Sequence, residues 1–328
     1  MERELAIEFV RVTEIAAIAS AQWMGRGDKE AADQAAVDAM RDMFETVDID
    51  GKVVIGEGKI DEAPRLYIGE KIGTREEEVP QVDLAVDPLE GTTIIAEGRP
   101  NALSVLAVAE KDSLLHAPDM YMDKLAVGPA GKDVIDINHS VHDNIKAVAR
   151  AMNKAVEEIT VVILDKPRHR KEGGLIDQVR EIGAKMKLIG DGDVAAALAT
   201  GLPDTGVDLL MGIGGAPEGV LAAAGLKCLG GEMQARLMPQ NEQDVEEAEE
   251  MGIENVNKAL RMSDLVAGEK VIFSATGVTD GEMLEGVRFE KERAVTHSLV
   301  MRSKTGTLRF VEAIHQLDQK PLVDKYLE

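Results

Sequence analysis

Residues able to do chemistry concentrate in three carboxylate-bearing turns, each at the end of an apolar run. The first is Ile55-Gly56-Glu57-Gly58, where glycines on both sides leave Glu57 uncrowded and let a ligand approach the backbone. Read alone, an ordinary tight turn with an exposed glutamate accounts for it equally well. The second is Asp87-Pro88-Leu89-Glu90-Gly91-Thr92-Thr93. Asp87 is expected to end a strand and Pro88 to stop its ladder, so the chain can bring Asp87, Glu90 and the Leu89 carbonyl to one point. That all-oxygen set suits Mg²⁺ or Mn²⁺ rather than zinc. Gly91, Thr92 and Thr93 would then offer N–H groups and hydroxyls at a helix start, where phosphate binds readily; a purely structural turn is the alternative. The third, Gly212-Ile213-Gly214-Gly215-Ala216-Pro217-Glu218-Gly219, superficially suggests a dinucleotide loop. Pro217 stands where the third glycine should fall, and Glu218 would repel a pyrophosphate. A metal-binding or sugar-contacting loop suits it better.

Three further groups complete the polar inventory. Lys166-Pro167-Arg168-His169-Arg170-Lys171 is the densest basic cluster of an acidic chain. It can clasp a phosphate through Arg168 with two donors, or be a solvated basic loop. Asp191 and Asp193 flank Gly192 in a turn suited to accepting hydrogen bonds from sugar hydroxyls. The same Asp-x-Asp resembles phosphatases with an aspartyl nucleophile, but Ala195 stands where those enzymes need Thr or Val. Tyr121 offers a phenol for phosphate or ring contact, with a half-buried packing tyrosine as the alternative. None of the six histidines forms a close ligand pair on a helix; His139 and His142 lie in a polar stretch expected to be loop. All six are read as surface or structural.

The elements that must position these residues belong to a chain of 328 residues, 45% hydrophobic and 30% charged, enough for one large domain or two sub-domains. Its formal net charge of −23, with no basic arm, excludes nucleic acid as a partner and keeps the chain soluble without naming a substrate. No apolar run is long enough to span a bilayer, so no membrane partner is expected. Met1 to Arg11 is charged and lacks the apolar stretch of a secretory leader, and Cys228 is the single cysteine, a small core residue by its surroundings. A cytoplasmic protein without disulfides is expected.

Apolar periodicity over Ala6 to Ile18 predicts a helix, and Asp28 is placed to cap a second over Lys29 to Phe44. Short strands are expected at Lys52 to Ile55, Val82 to Asp87 and Leu103 to Ala109. Beyond these the style changes. Strands at Ile159 to Leu164, Lys185 to Ile189 and Asp208 to Gly212 alternate with helices near Gly174 to Gly183, after Asp193, and over Gly219 to Ala224. That alternation predicts crossover units and at least partly parallel pairing, hence an α/β fold with α+β character in its N-terminal half. Asn241 to Leu260 reads as a Glu-rich solvated helix, and strands near Val271 to Phe273 and Ser298 to Met301 close the chain. The border between sub-domains is placed near residue 155, giving 1–155 most of the candidate ligands and 156–328 the substrate contacts and Glu218.

Taken together and in order, these motifs resemble the lithium-sensitive, metal-dependent sugar phosphatase superfamily. The carriers are Gly56-Glu57-Gly58, Asp87-Pro88-Leu89-Glu90-Gly91-Thr92 and Gly215-Ala216-Pro217-Glu218-Gly219. Within it, the chain resembles the bacterial class II fructose-1,6-bisphosphatases. That likeness runs through Met24 to Lys29, Ala32-Asp33-Gln34, Ile60 to Pro64, Ala117 to Met122, Lys166 to His169, Asp191-Gly192-Asp193 and Phe273 to Gly277. Glu90 stands where inositol monophosphatases carry Asp, which favours the bisphosphatase branch. The resemblance implies a layered αβαβα fold, metal ligands at Asp33, Glu57, Asp87, Glu90 and Glu218, and Mg²⁺ or Mn²⁺ as cofactor. Substrate contacts are implied at Glu90, Gly91, Thr92, Tyr121, Lys166, Pro167, Arg168, Asp191, Gly192, Asp193 and Gly215, with Thr92, Asp33 and Glu57 in catalysis. Thr92 paired with Asp33 would orient the attacking water; an N-cap is its alternative role. The expected reaction is hydrolysis of fructose 1,6-bisphosphate by a homo-oligomer, dimer or tetramer. Sedoheptulose 1,7-bisphosphate is the runner-up substrate, and an acidic cation- or nucleotide-binding module without activity is the non-enzymatic reading.

Overall fold

The computed structural model describes residues 5–58, 64–319 and 325; the expected motif residues Ile60 to Ala63 lie outside them. Two units form, one from residues 1–114 and 268–328, the other from residues 115–267.

In the first unit, α1 (Leu5–Ala21) and α2 (Lys29–Phe44) pack on a sheet built from β1 (Asp50–Ile55), β2 (Lys71–Ile72), β3 (Gln81–Glu90) and β4 (Leu103–Glu110). The short α3 (Thr92–Ala96) lies between β3 and β4 in the chain. Four later strands complete the sheet, β10 (Ile272–Gly277), β11 (Arg288–Glu290), β12 (Arg293–Arg302) and β13 (Thr307–Gln316), once the intervening elements are counted. The path runs β11-β12-β10-β4-β3-β1-β2, with β13 paired along β12. As expected, Asp28 caps α2, its carboxylate accepting from Ala31 N at 3.0 Å. The apolar face of α1 is buried through Phe9, Val12, Ile15 and Ile18 against the sheet. A buried hydroxyl chain accompanies it: Thr13 meets Ser274 at 3.0 Å and accepts from Thr276 at 2.8 Å.

Pro88 does not end the ladder. β3 continues through it to Glu90, and pairing with β4 slips by one residue between Asp87↔Val105 and Glu90↔Leu103. A bulge accommodates the missing proline N–H and still turns the chain toward α3.

The second unit has its own sheet, ordered β7-β6-β8-β5-β9: β5 (Tyr121–Val127), β6 (Thr160–Leu164), β7 (Lys185–Ile189), β8 (Leu209–Gly215) and β9 (Glu232–Leu237). Its helices are α4 (Val141–Ala151), α5 (Leu175–Ile182), α6 (Asp193–Ala199), α7 (Ala216–Leu229), α8 (Glu242–Glu250) and α9 (Met262–Leu265). β6 runs parallel to both β7 and β8, whereas β5 is antiparallel to β8 and β9. A separate apolar core gathers Val127, Ile145, Val148, Val161 and Val179. Cys228 is buried within α7.

The border expected near residue 155 therefore falls inside the second unit. β5 joins that unit's sheet by pairing with β8, and the chain after residue 268 returns to the first sheet. The long Glu-rich helix is also shorter than expected. Asn241 caps α8, accepting from Asp244 N at 3.0 Å, but Gly252 at φ +87° follows its end, and Leu260 bridges to Ala235. His142 lies in the first turn of α4 rather than in a loop. Among the described residues no helix is long and apolar enough to cross a membrane.

Candidate active site

Sheet direction gathers the functional residues within each unit. β1 and β3 are parallel with Ile55 opposite Ala85, so the segments leaving their C-terminal ends, Glu57 and Asp87 to Thr92, emerge on the same edge. The Glu57 turn is held by its backbone: Glu57 N donates to Leu66 O at 3.0 Å, and a Cβ on Gly56 would lie 2.0 Å from that oxygen. Only glycine can stand there. Asp87 Oδ1 accepts from Leu89 N at 3.1 Å, which tightens the turn around the bulge. Gly91 takes φ +96°, the left-handed conformation needed to pass from β3 into α3, and puts Thr92 at the first position of that helix. Two backbone bonds, Gly25 N to Ile95 O at 2.9 Å and Gly27 N to Ala96 O at 3.0 Å, tie the segment entering α2 to α3. Asp33 follows in the second turn of α2. It is half-buried, and burial pushes its carboxyl up to about 6.

In the second unit, the parallel arrangement of β6, β7 and β8 brings three segments out at one edge: Lys166 to Arg168, Asp191 to Asp193 and the turn into Glu218. Tyr121 joins them because β5 begins opposite Gly215. This is the carboxyl edge of parallel strands, where α/β sheets place ligands. The Arg168 guanidinium stacks 4.5 Å from the Tyr121 ring centroid. Its Nε and Nη2 donate to Ile213 O at 3.0 and 2.6 Å, so the arginine is held in place by β8. His169 next to it is structural. Its Nδ1 lies 2.7 Å from Leu164 O and its Nε2 accepts from Ile213 N at 2.8 Å, which fixes the neutral ring between two strands. Gly192 at φ +86° opens α6, and Asp193 is its first residue.

Gly215 and Pro217 shape the start of α7. Glu218 folds back so closely that a Cβ on Gly215 would sit 1.9 Å from its Oε2. That oxygen is buried and accepts no hydrogen bond among the described residues. Burial raises the Glu218 carboxyl above its ordinary range; the Lys124 ammonium opposes the shift, and Asp193 and Asp119 add to it. A buried carboxylate oxygen lacking a donor is costly unless a cation meets it, so Glu218 matches the requirement for a hard-cation ligand. Among the described residues, no three of His, Cys, Asp and Glu already form a metal cage.

Lys124 is the site residue that the sequence did not reveal. Its Nζ lies 2.7 Å from Asp193 Oδ2, and both side chains are buried. The only trace in the sequence is a charged residue directly before Leu125-Ala126-Val127, in a segment with too little alternation to read as a strand.

Against known proteins, residues 3–315 match the family described as "Bacterial fructose-1,6-bisphosphatase, glpX-encoded". The chain is 50% identical over 333 residues to a protein of Escherichia coli named fructose-1,6-bisphosphatase 1 class 2, covering 98% of this chain and 97% of that one. It is 48% identical over 330 residues to the fructose-1,6-bisphosphatase class 2 of Haemophilus influenzae, covering 97% and 98%. With residues 3–315 matched by the family and relatives 48–50% identical over nearly their whole length, this chain belongs to the bacterial fructose-1,6-bisphosphatase family.

Proposed function

We propose that this chain is a metal-dependent phosphatase that removes the 1-phosphate of fructose 1,6-bisphosphate, giving fructose 6-phosphate and inorganic phosphate. The observation that carries the reading is the near-complete match to class 2 fructose-1,6-bisphosphatases. The orphaned oxygen of Glu218 and the raised carboxyl of Asp33 support the metal requirement.

The residues that would hold Mg²⁺ or Mn²⁺ are Asp33, Glu57, Asp87, Glu90 and Glu218. When bound, divalent cations supply charge neutralisation at the phosphate and acidify nearby water. The remaining work falls to the chain. The Thr92 hydroxyl, at the start of α3, orients the attacking water together with Asp33. Backbone N–H groups at Gly91 and Thr92 face the reacting phosphate. Lys166 and Arg168, with Pro167 stiffening the loop between them, clasp the phosphate that is kept, and Tyr121 braces Arg168 from its ring face. Asp191, Gly192 and Gly215 line the sugar. A cytoplasmic homo-oligomer belongs to the same proposal and rests on the resemblance and the single cysteine.

Following the reaction by ³¹P NMR tests the reading. The expected products are fructose 6-phosphate and one equivalent of inorganic phosphate. Release of the 6-phosphate, or of both phosphates at similar rates, would contradict the assignment of Arg168 to the retained group.

A further inference from the structure

Lys124 has no place in the roles assigned so far, yet it is buried in the second unit. The residue is 3% exposed on β5, and an ammonium is kept in such a place only with a counter-charge. Asp193 supplies that charge at 2.7 Å and is itself 7% exposed. The backbone gives way beside the pair. A Cβ on Gly214 would lie 2.0 Å from Asp193 Oδ2 and 3.0 Å from Lys124 Nζ; at Gly219 the tight neighbour is Met122 Sδ, 2.6 Å from such a Cβ, with Lys124 Cε in ordinary contact at 3.4 Å. The two glycines flank Glu218 in sequence, and Glu218 feels the Lys124 charge. The ammonium therefore joins β5 to the start of α6 beneath the end of β8, and the lysine stem runs past the first turn of α7.

We propose that Lys124 is a positioning residue for the phosphatase reaction, fixing Asp193 and, through the Gly214–Gly219 turn, the carboxylate of Glu218. The proposal rests on the phosphatase reading. Asp193 then serves Lys124 through its Oδ2, which leaves its other oxygen and Asp191 to meet sugar hydroxyls from this turn. The charges balance poorly without help. Lys124 neutralises Asp193, so the buried Oε2 of Glu218 keeps a demand for positive charge while its place in the turn is already set. A misplacement of about 1 Å at such a turn can cost about 100-fold in rate without weakening substrate binding much.

The test compares Lys124→Met, Asp193→Ala, the double variant and Asp191→Asn. Lys124→Met and Asp193→Ala are each expected to lower kcat by about 100-fold with KM changed by less than about threefold. The double variant should be no worse than the poorer single one, because both break one contact. Asp191→Asn should act mainly on KM. A readout independent of turnover is the ζ-ammonium signal of ¹⁵N-lysine-labelled protein. One slowly exchanging signal should be present in the parent and in Asp191→Asn, and lost in Asp193→Ala. Losses that multiply in the double variant, an Asp193→Ala effect confined to KM, or a ζ-signal that survives Asp193→Ala would each overturn the proposal. Absence of turnover in the parent would instead refute the phosphatase reading and leave the Lys124–Asp193 contact to be decided by the ζ-signal.

Discussion

At Asp33, burial and charge work against each other. Its carboxyl is pushed up to about 6 from an ordinary 3.8, so in the metal-free protein folding favours the protonated form. The sign follows directly: the contribution to stability is complete below pH 3.8 and is lost as pH rises through about 6. Chemical denaturation of the metal-free protein between pH 4 and pH 7 should show this decline, and Asp33→Asn should flatten it. Thr92 is exposed to a different test. If its hydroxyl orients the attacking water, Thr92→Ala should lower kcat by at least ~100-fold while KM changes little. Retention of full turnover would return Thr92 to a helix-start role. Arg168→Ala, by contrast, should raise KM more than it lowers kcat, because Arg168 is assigned to the phosphate that stays.

The bulge at Pro88 and the glycines of the β8–α7 turn carry the argument at the level of elements. Gly214 shows no special backbone angle; its constraint is purely the space taken by Asp193 and Lys124. Gly214→Ala should therefore cost about 1–3 kcal/mol, as overpacking of a tight interior does, and should lower activity as well. Thermal melting combined with turnover would check both. Elements with strong local signals were legible: the Asp28 cap and α2, the β-branched run of β6, and the alternation of strands and helices around β7 and β8. Elements stabilised by distant partners were not. β5 reads as polar because Lys124 finds its counter-charge on α6, far away in sequence, and β13 is specified by its ten-residue register with β12. The same reasoning applies to the proposed ligands. Glu57, the Asp87–Thr92 turn and Glu218 stand in Gly-flanked turns that sequence can mark, whereas Asp33 sits in an ordinary helical pattern and came only through the family resemblance.

Over the whole molecule, acidity is the dominant property: 60 acidic against 37 basic residues give −23, which disfavours an anionic substrate approaching the chain unaided. On the proposed reading, divalent cations would join Lys166 and Arg168 in supplying the positive charge that a bisphosphate needs on such a protein. Sub-domain order could not be read from local pattern, because the chain leaves its first sheet after β4 and returns to it at β10. Nothing near residues 114 or 268 marks that excursion. The most direct measurement is phosphate release from fructose 1,6-bisphosphate, sedoheptulose 1,7-bisphosphate, fructose 6-phosphate and inositol monophosphate, each with Mg²⁺, with Mn²⁺ and with chelator. Turnover should be fastest on fructose 1,6-bisphosphate, should stop with chelator, and should return when the metal is restored. Undiminished turnover in chelator, or a monophosphate hydrolysed faster than the bisphosphate, would contradict the account.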